Sequence, residues 1–281
     1  LGAVRAKRPA RLPVAPGAPA GLTTAACQRD AETPTPAPEP AAPTAETPEP
    51  ILRDPALGRG ALLGGPAPAA AHSAGGAVPA AKTRLAGRQS DARLAFGCEG
   101  AEAPPADGAG DGLARWSWGP ERESVRLSLT PGDWSRSALI AGAGQDQWEA
   151  VEGFWIARPW MTAEGCPSLR PDPLASGPAA PSPQTVGLAA VFEAGGSRLG
   201  RRNGRAYTHA IRQAGDAPLI ALDAGYRVRL QGRVAAFPDG RAIHCRAANP
   251  NQRPVCVAAV QLDRVAFETP TGDTLSEWRP T

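Results

Sequence analysis

The side chains able to do chemistry in this 281-residue chain are few, and the five cysteines, with three histidines, come first. Cys245 and Cys256 flank Asn249-Pro250-Asn251, and a bridge between them closes a loop of about a dozen residues, worth roughly 3 kcal/mol in the loop-entropy picture. Cys98 and Cys166 then remain to pair with each other, although four cysteines permit three pairings and the others stay open. Metal ligation is the rival use of these thiols. No Cys-x-x-Cys or His-Glu-x-x-His spacing occurs, and His244 and Cys245, as neighbours on a strand, point to opposite faces. Cys98, Cys166, Cys245 and Cys256 are therefore expected as two disulfides, with no metal and no cofactor.

Nucleophilic catalysis has little to work with. The folded part holds His209 and His244. Ser197 lies in Gly195-Gly196-Ser197-Arg198-Leu199-Gly200, which misses the nucleophile-elbow spacing by one residue and has no following helix. Glu193, Asp216 or Asp223 could orient His209, yet Tyr207-Thr208-His209 reads more simply as alternating strand residues. Asp107-Gly108-Ala109-Gly110-Asp111-Gly112 lacks the middle acid of a calcium loop, and Trp118 stands where its glutamate belongs. No catalytic residue is assigned. A hydrolase using His209 with Ser197 or a nearby carboxylate is the alternative.

Binding chemistry is better represented. Six of the seven tryptophans fall between Trp116 and Trp160. Most are expected to fill the core, where an aromatic ring buries a large area. Trp155 and Trp160, beside Arg158, are the pair to test for exposure, because a flat indole stacks on a sugar ring. Arg198, Arg201, Arg202 and Arg205 crowd around Gly200 and Asn203-Gly204, a hairpin-like turn, and Arg227 and Arg229 share one strand face. Guanidinium forks suit carboxylate and phosphate. Arginines guarding a hairpin edge are the plainer account of the same cluster.

The elements that must position these residues are strands. Arg93 to Phe96, Trp116 to Trp118, Val125 to Leu129, Trp148 to Trp160, Val186 to Glu193, Ala206 to Arg212, Tyr226 to Phe237, Ala242 to Arg246 and Val255 to Glu268 carry strand-like patterns. Pro131-Gly132-Asp133 and Phe237-Pro238-Asp239-Gly240-Arg241 are turns, the second joining two antiparallel strands. No helical pattern follows Gln89. The spacing predicts an all-β fold, an antiparallel sandwich or barrel-like domain over 89–281.

The first ninety residues differ in texture. Residues 31 to 50 contain no aromatic and no branched aliphatic side chain, so they cannot bury enough surface to offset the entropy of ordering. A disordered Ala/Pro/Gly-rich linker is expected over 27–88, with a short helix near Pro55 to Leu63 opposed by Gly58 and Gly60. Ahead of it, Lys7, Arg8 and Arg11 precede an apolar stretch from Leu12 to Ala20 and small residues up to Cys27. This order over 1–26 resembles the signal of bacterial envelope lipoproteins. Ala25, Ala26 and Cys27 match the last three lipobox positions, while Thr24 stands where leucine is usual and Pro13, Pro16 and Pro19 interrupt the apolar run. The resemblance implies lipid attachment at Cys27 and, with Gln28 rather than aspartate next, sorting to the outer membrane, facing the periplasm. It covers the N-terminal segment only.

A formal net charge of +3 is too small to argue for nucleic acid. The expectation is a non-catalytic envelope lipoprotein whose tethered β domain binds a glycan, an anionic envelope polymer or another envelope protein, with the membrane as partner through the lipid. A structural subunit of an envelope assembly is the other non-catalytic alternative.

Overall fold

A computed structural model of the chain describes residues 54–74, 85–103, 105, 108–140, 147–167, 185–212, 215, 219, 224–249 and 251–280, all within the compact unit Leu52–Thr281. Cys27, the signal-like segment 1–26, the spacer 31–50, Asp216 and Asp223 lie outside the described residues.

The class is all-β. The strands are β1 (Gln89–Phe96), β2 (Ala114–Trp118), β3 (Ser124–Leu129), β4 (Gly132–Asp133), β5 (Trp148–Trp155), β6 (Val186–Glu193), β7 (Tyr207–Arg212), β8 (Tyr226–Val234), β9 (Ile243–Arg246), β10 (Val255–Glu268) and β11 (Thr274–Trp278). Eight of them form one sheet in the order β1-β8-β10-β6-β5-β4, with β9 and β11 also paired to β10, and β2-β3-β7 form a second sheet. The strand pairing is antiparallel as expected except at one place. β6 and β10 run parallel, from Cys256 opposite Val186 to Val260 opposite Ala190. Expected strands also end earlier at two places, since β5 stops at Trp155 and β8 at Val234; Gly132–Asp133, expected in a turn, form β4 beside β5, and β11 was not expected.

Alternation sets which side chains go inward. On β8, Tyr226, Val228 and Leu230 are buried, as are Ala92, Leu94 and Phe96 on the paired β1 and Val125, Leu127 and Leu129 on β3. Both sheets contribute to this one core. The 14-residue β10 changes faces midway. Cys256, Ala258 and Val260 point into the core ahead of a bulge between Leu262 and Arg264; Val265 and Phe267 do so after it. An extra residue in one strand shifts the period-two pattern by one, so Asp263 moves the inward parity from even to odd.

A second cluster covers the opposite face of β5, β6 and β10. Trp134, Ile140 and Phe237 lie there against Val151, Ala189, Val191, Val257 and Ala259. Burial on both faces explains why β6 and the first half of β10 read as continuous apolar runs rather than alternating ones. Gly153 on β5 is required at this point, because a Cβ would overlap the Trp134 indole.

The linker expected through residue 88 is corrected over 54–74. Leu57 pairs with the edge of β1, its N–H donating to Gln89 O at 2.8 Å and its carbonyl accepting from Asp91 N at 2.9 Å. Two short helices follow, α1 (Arg59–Gly64) and α2 (Pro66–Ala74), and Leu57, Leu62, Leu63 and Ala69 join the main core. Gly58 and Gly60 lower the intrinsic helix preference, but packing of an apolar face outweighs it.

Candidate functional site

The four downstream cysteines form two disulfides, Cys98–Cys166 and Cys245–Cys256. The second joins directly opposed residues of β9 and β10. Among the described residues, no group of histidine, cysteine and acidic side chains could hold a metal ion.

The structure separates the two tryptophans singled out from the sequence. Trp155 packs on Trp134 with ring centroids 4.6 Å apart, in the second core cluster. Trp160 is 59% exposed, in the loop after β5. Arg158 pairs with Glu99 and approaches Cys98 Sγ at 3.7 Å. Beneath this loop the buried Arg59 donates from Nε to Met161 O at 2.9 Å, and from Nη2 to Ala157 O at 2.6 Å and Arg158 O at 2.9 Å. Arg227 and Arg229 also part company. Arg229 is committed to Asp91 at 2.6 Å and to the fully buried Glu268 at 3.3 Å, whereas Arg227 Nε has no partner among the described residues.

No catalytic arrangement assembles among the described residues. Ser197 Oγ accepts from the Leu199 N–H at 3.2 Å and makes no hydrogen bond to His209. Burial lowers the His209 pKa, favouring the neutral ring. His244 Nε2 sits 3.0 Å from an Asp239 carboxylate oxygen and stacks on Phe237, but no hydroxyl or thiol nucleophile completes the pair.

The arginine cluster does converge. The turn between β6 and β7 folds back over the core-facing side of β5. Its Arg198 and Arg201 are tied to Glu149, with Arg198 Nε 3.0 Å from Oε2 and Arg201 Nη1 2.8 Å from Oε1. The backbone N–H groups of Arg202 and Asn203 both donate to Glu152 Oε1 at 2.8 Å. Asn203 takes a left-handed φ of 52°, a conformation asparagine tolerates, and Gly204 follows at 76°. The Arg202 guanidinium donates to Ala206 O at 2.6 Å and lies 4.5 Å over the Tyr207 ring. Arg205 is exposed and donates to Arg202 O at 3.2 Å. Arg202 and Arg205 pair with no carboxylate among the described residues.

These elements border a cleft with two adjoining compartments of about 320 and 200 Å³. Glu152, Phe192 and Ser197 line the larger one; Arg201, Arg202, Arg205 and Trp278 line the smaller. Tyr207, Leu199 and Leu262 border both. Burial pushes the Glu152 carboxyl above the usual glutamate range, against the pull of the two amides and of Arg201 and Arg202. Burial and the Glu152 charge push the Tyr207 hydroxyl far upward, so it stays protonated.

Three of the four clustered arginines thus line the cleft, and Arg198 braces it through Glu149. Glu152, Tyr207 and Trp278 were not singled out in the sequence. An acid inside the otherwise apolar stretch Ala150-Val151-Glu152-Gly153-Phe154 is the one local sign that Glu152 is special. Trp278 reaches Tyr207, at 5.2 Å between ring centroids, only through the pairing of β11 with β10.

No protein-family model matches the chain, and neither a curated protein nor a solved structure matches it.

Proposed function

We propose that this protein is a non-catalytic binding protein of the bacterial cell envelope, whose β domain takes an anionic envelope component, an acidic glycan in the first instance, into the cleft beside the β6–β7 turn. The observation that carries the reading is the pair Arg202 and Arg205. Both border the smaller compartment, neither has a carboxylate partner among the described residues, and aromatic rings lie beside them. A guanidinium at a concave, part-apolar surface gains more from an anion than one in open water, because the local dielectric is lower. The attachment to the envelope is proposed from the sequence. The basic, apolar and small residues ending at Cys27 support a lipid anchor, and the Ala/Pro-rich stretch after it supports a spacer.

Titration with polygalacturonate by calorimetry tests the binding. The wild-type protein is expected to bind with an affinity that falls as salt rises, and the double substitution Arg202→Ala/Arg205→Ala to weaken it at least tenfold without unfolding the domain. Equal binding by the double variant would place the polymer elsewhere, and absence of wild-type binding would end the acidic-glycan reading. Intact mass from a bacterial membrane fraction tests the anchor. A chain starting at Cys27 with added acyl mass is expected, and an unacylated Cys27 refutes it.

A further inference from the structure

Glu152 gives the cleft a chemical sense that arginines alone do not. Both amides of the turn converge on its Oε1, and Oε2 receives no hydrogen bond from any described residue, while the side chain lines the larger compartment. The Tyr207 hydroxyl likewise makes no hydrogen bond among the described residues, and the residue borders both compartments. A carboxylate at the back of an anion site repels a bare anion. It becomes favourable only when the ligand brings a hydroxyl donor to that place. Phe192, Leu199 and Leu262 supply apolar surface between the two ends. A compartment of about 320 Å³ lies in the size range of small-molecule sites and accommodates one pyranose ring.

We propose that Glu152 is the specificity-determining residue of this cleft: its Oε2 accepts a sugar hydroxyl while Arg202 and Arg205 take the anionic group, so that the ligand is a hexose carrying a carboxylate or a tetrahedral oxyanion rather than a bare inorganic anion. This rests on the anion-binding reading above. The charged and titratable groups around Glu152 are Asp133, opposite it in register on β4, Arg201 and Arg202 from the turn, Tyr207 from β7, and Glu193 of β6, which lines the same compartment. With the Glu152 carboxyl raised by burial, the acceptor is lost at a higher pH than an ordinary glutamate would lose it, and sugar selectivity goes with it.

The test uses the full chain with matched probes: glucuronate against acetate, and glucose 6-sulfate against inorganic sulfate. Wild type is expected to bind each sugar at least tenfold more tightly than its bare anion, the scale of one hydrogen bond to a charged group. In Glu152→Gln the side-chain carbonyl keeps the two amide bonds and places an NH₂ where the acceptor was. The sugar advantage should then shrink about tenfold, with the bare anions bound at least as tightly as by wild type because the repelling charge is gone. An unchanged ratio, or a wild type that binds sugar and bare anion equally, overturns the Glu152 role and leaves the anion site standing. No binding of any probe overturns both. Should Glu152→Gln fail to fold, the wild-type ratio for the sulfate pair as pH is lowered from neutral decides instead, since burial raises the Glu152 carboxyl while both sulfates keep their charge. A declining ratio supports the role and a flat one refutes it.

Discussion

Replacing Arg59 by alanine probes the part of the fold least expected from the sequence. The side chain is 3% exposed and donates three hydrogen bonds to carbonyls in 157–161. Bonds from a charged donor contribute about 1.5–3 kcal/mol each, and carbonyl acceptors sit at the low end, giving a gross loss of roughly 4–5 kcal/mol. Two effects oppose it. Burial pulls the Arg59 pKa down, with Arg158 adding to that and Glu164 resisting, so removing the charge recovers part of a desolvation cost. The freed carbonyls also regain some water. A net loss of about 2–3 kcal/mol follows, or roughly 5–10 °C in Tm for a unit of this size. Guanidinium denaturation followed by tryptophan fluorescence reads the loss directly. Limited chymotryptic digestion at Trp160 reads the release of the loop, and Arg59→Lys, with a single ammonium, is expected to fall between the two. A loss below about 0.5 kcal/mol with unchanged digestion would show that the 54–74 segment does not brace the β domain.

Four further outcomes are expected. Burial alone would raise the Asp91 carboxyl, but the Arg229 guanidinium holds it below the usual aspartate range. The unfolded chain then binds more protons, so this stabilisation is complete above about pH 4 and is lost as pH falls through the folded value; Asp91→Asn should flatten that part of a urea-denaturation pH series. Its neighbour Glu268 is fully buried between Arg93 at 3.1 Å and Arg229 at 3.3 Å, and Glu268→Gln should cost about 3–5 kcal/mol at neutral pH in the same assay. Separate removal of the two disulfides should cost about 4 kcal/mol for Cys98–Cys166, 68 residues apart, and about 3 kcal/mol for Cys245–Cys256, 11 apart; the reverse order in denaturant midpoints would contradict a loop-entropy origin. Gly153→Ala forces a methyl into the Trp134 indole, so a loss of about 1–3 kcal/mol and a changed near-ultraviolet circular dichroism band are expected, and a silent substitution would mean that Trp134 does not lie against β5.

Local pattern determined much of this molecule. Period-two alternation on β1, β3 and β8 states which side chains are buried without reference to anything else in the chain, since successive strand residues must face opposite ways. The turn at Phe237 to Arg241 follows from its proline, aspartate and glycine, and the structure closes it with Gly240 N donating to Phe237 O at 2.7 Å. Four cysteines without metal spacing already implied two disulfides. Tertiary structure alone decided the rest, because each remaining feature joins residues far apart in sequence. It chose Cys98 with Cys166, ran β6 parallel to β10, put Trp155 in a core and Trp160 in solvent, and spent Arg59 on carbonyls about a hundred positions away. The cleft belongs to the same class. Its arginines are neighbours in sequence and were legible as a cluster, but Glu152 and Trp278 reach them only through strand pairing and sheet packing, which no local propensity encodes.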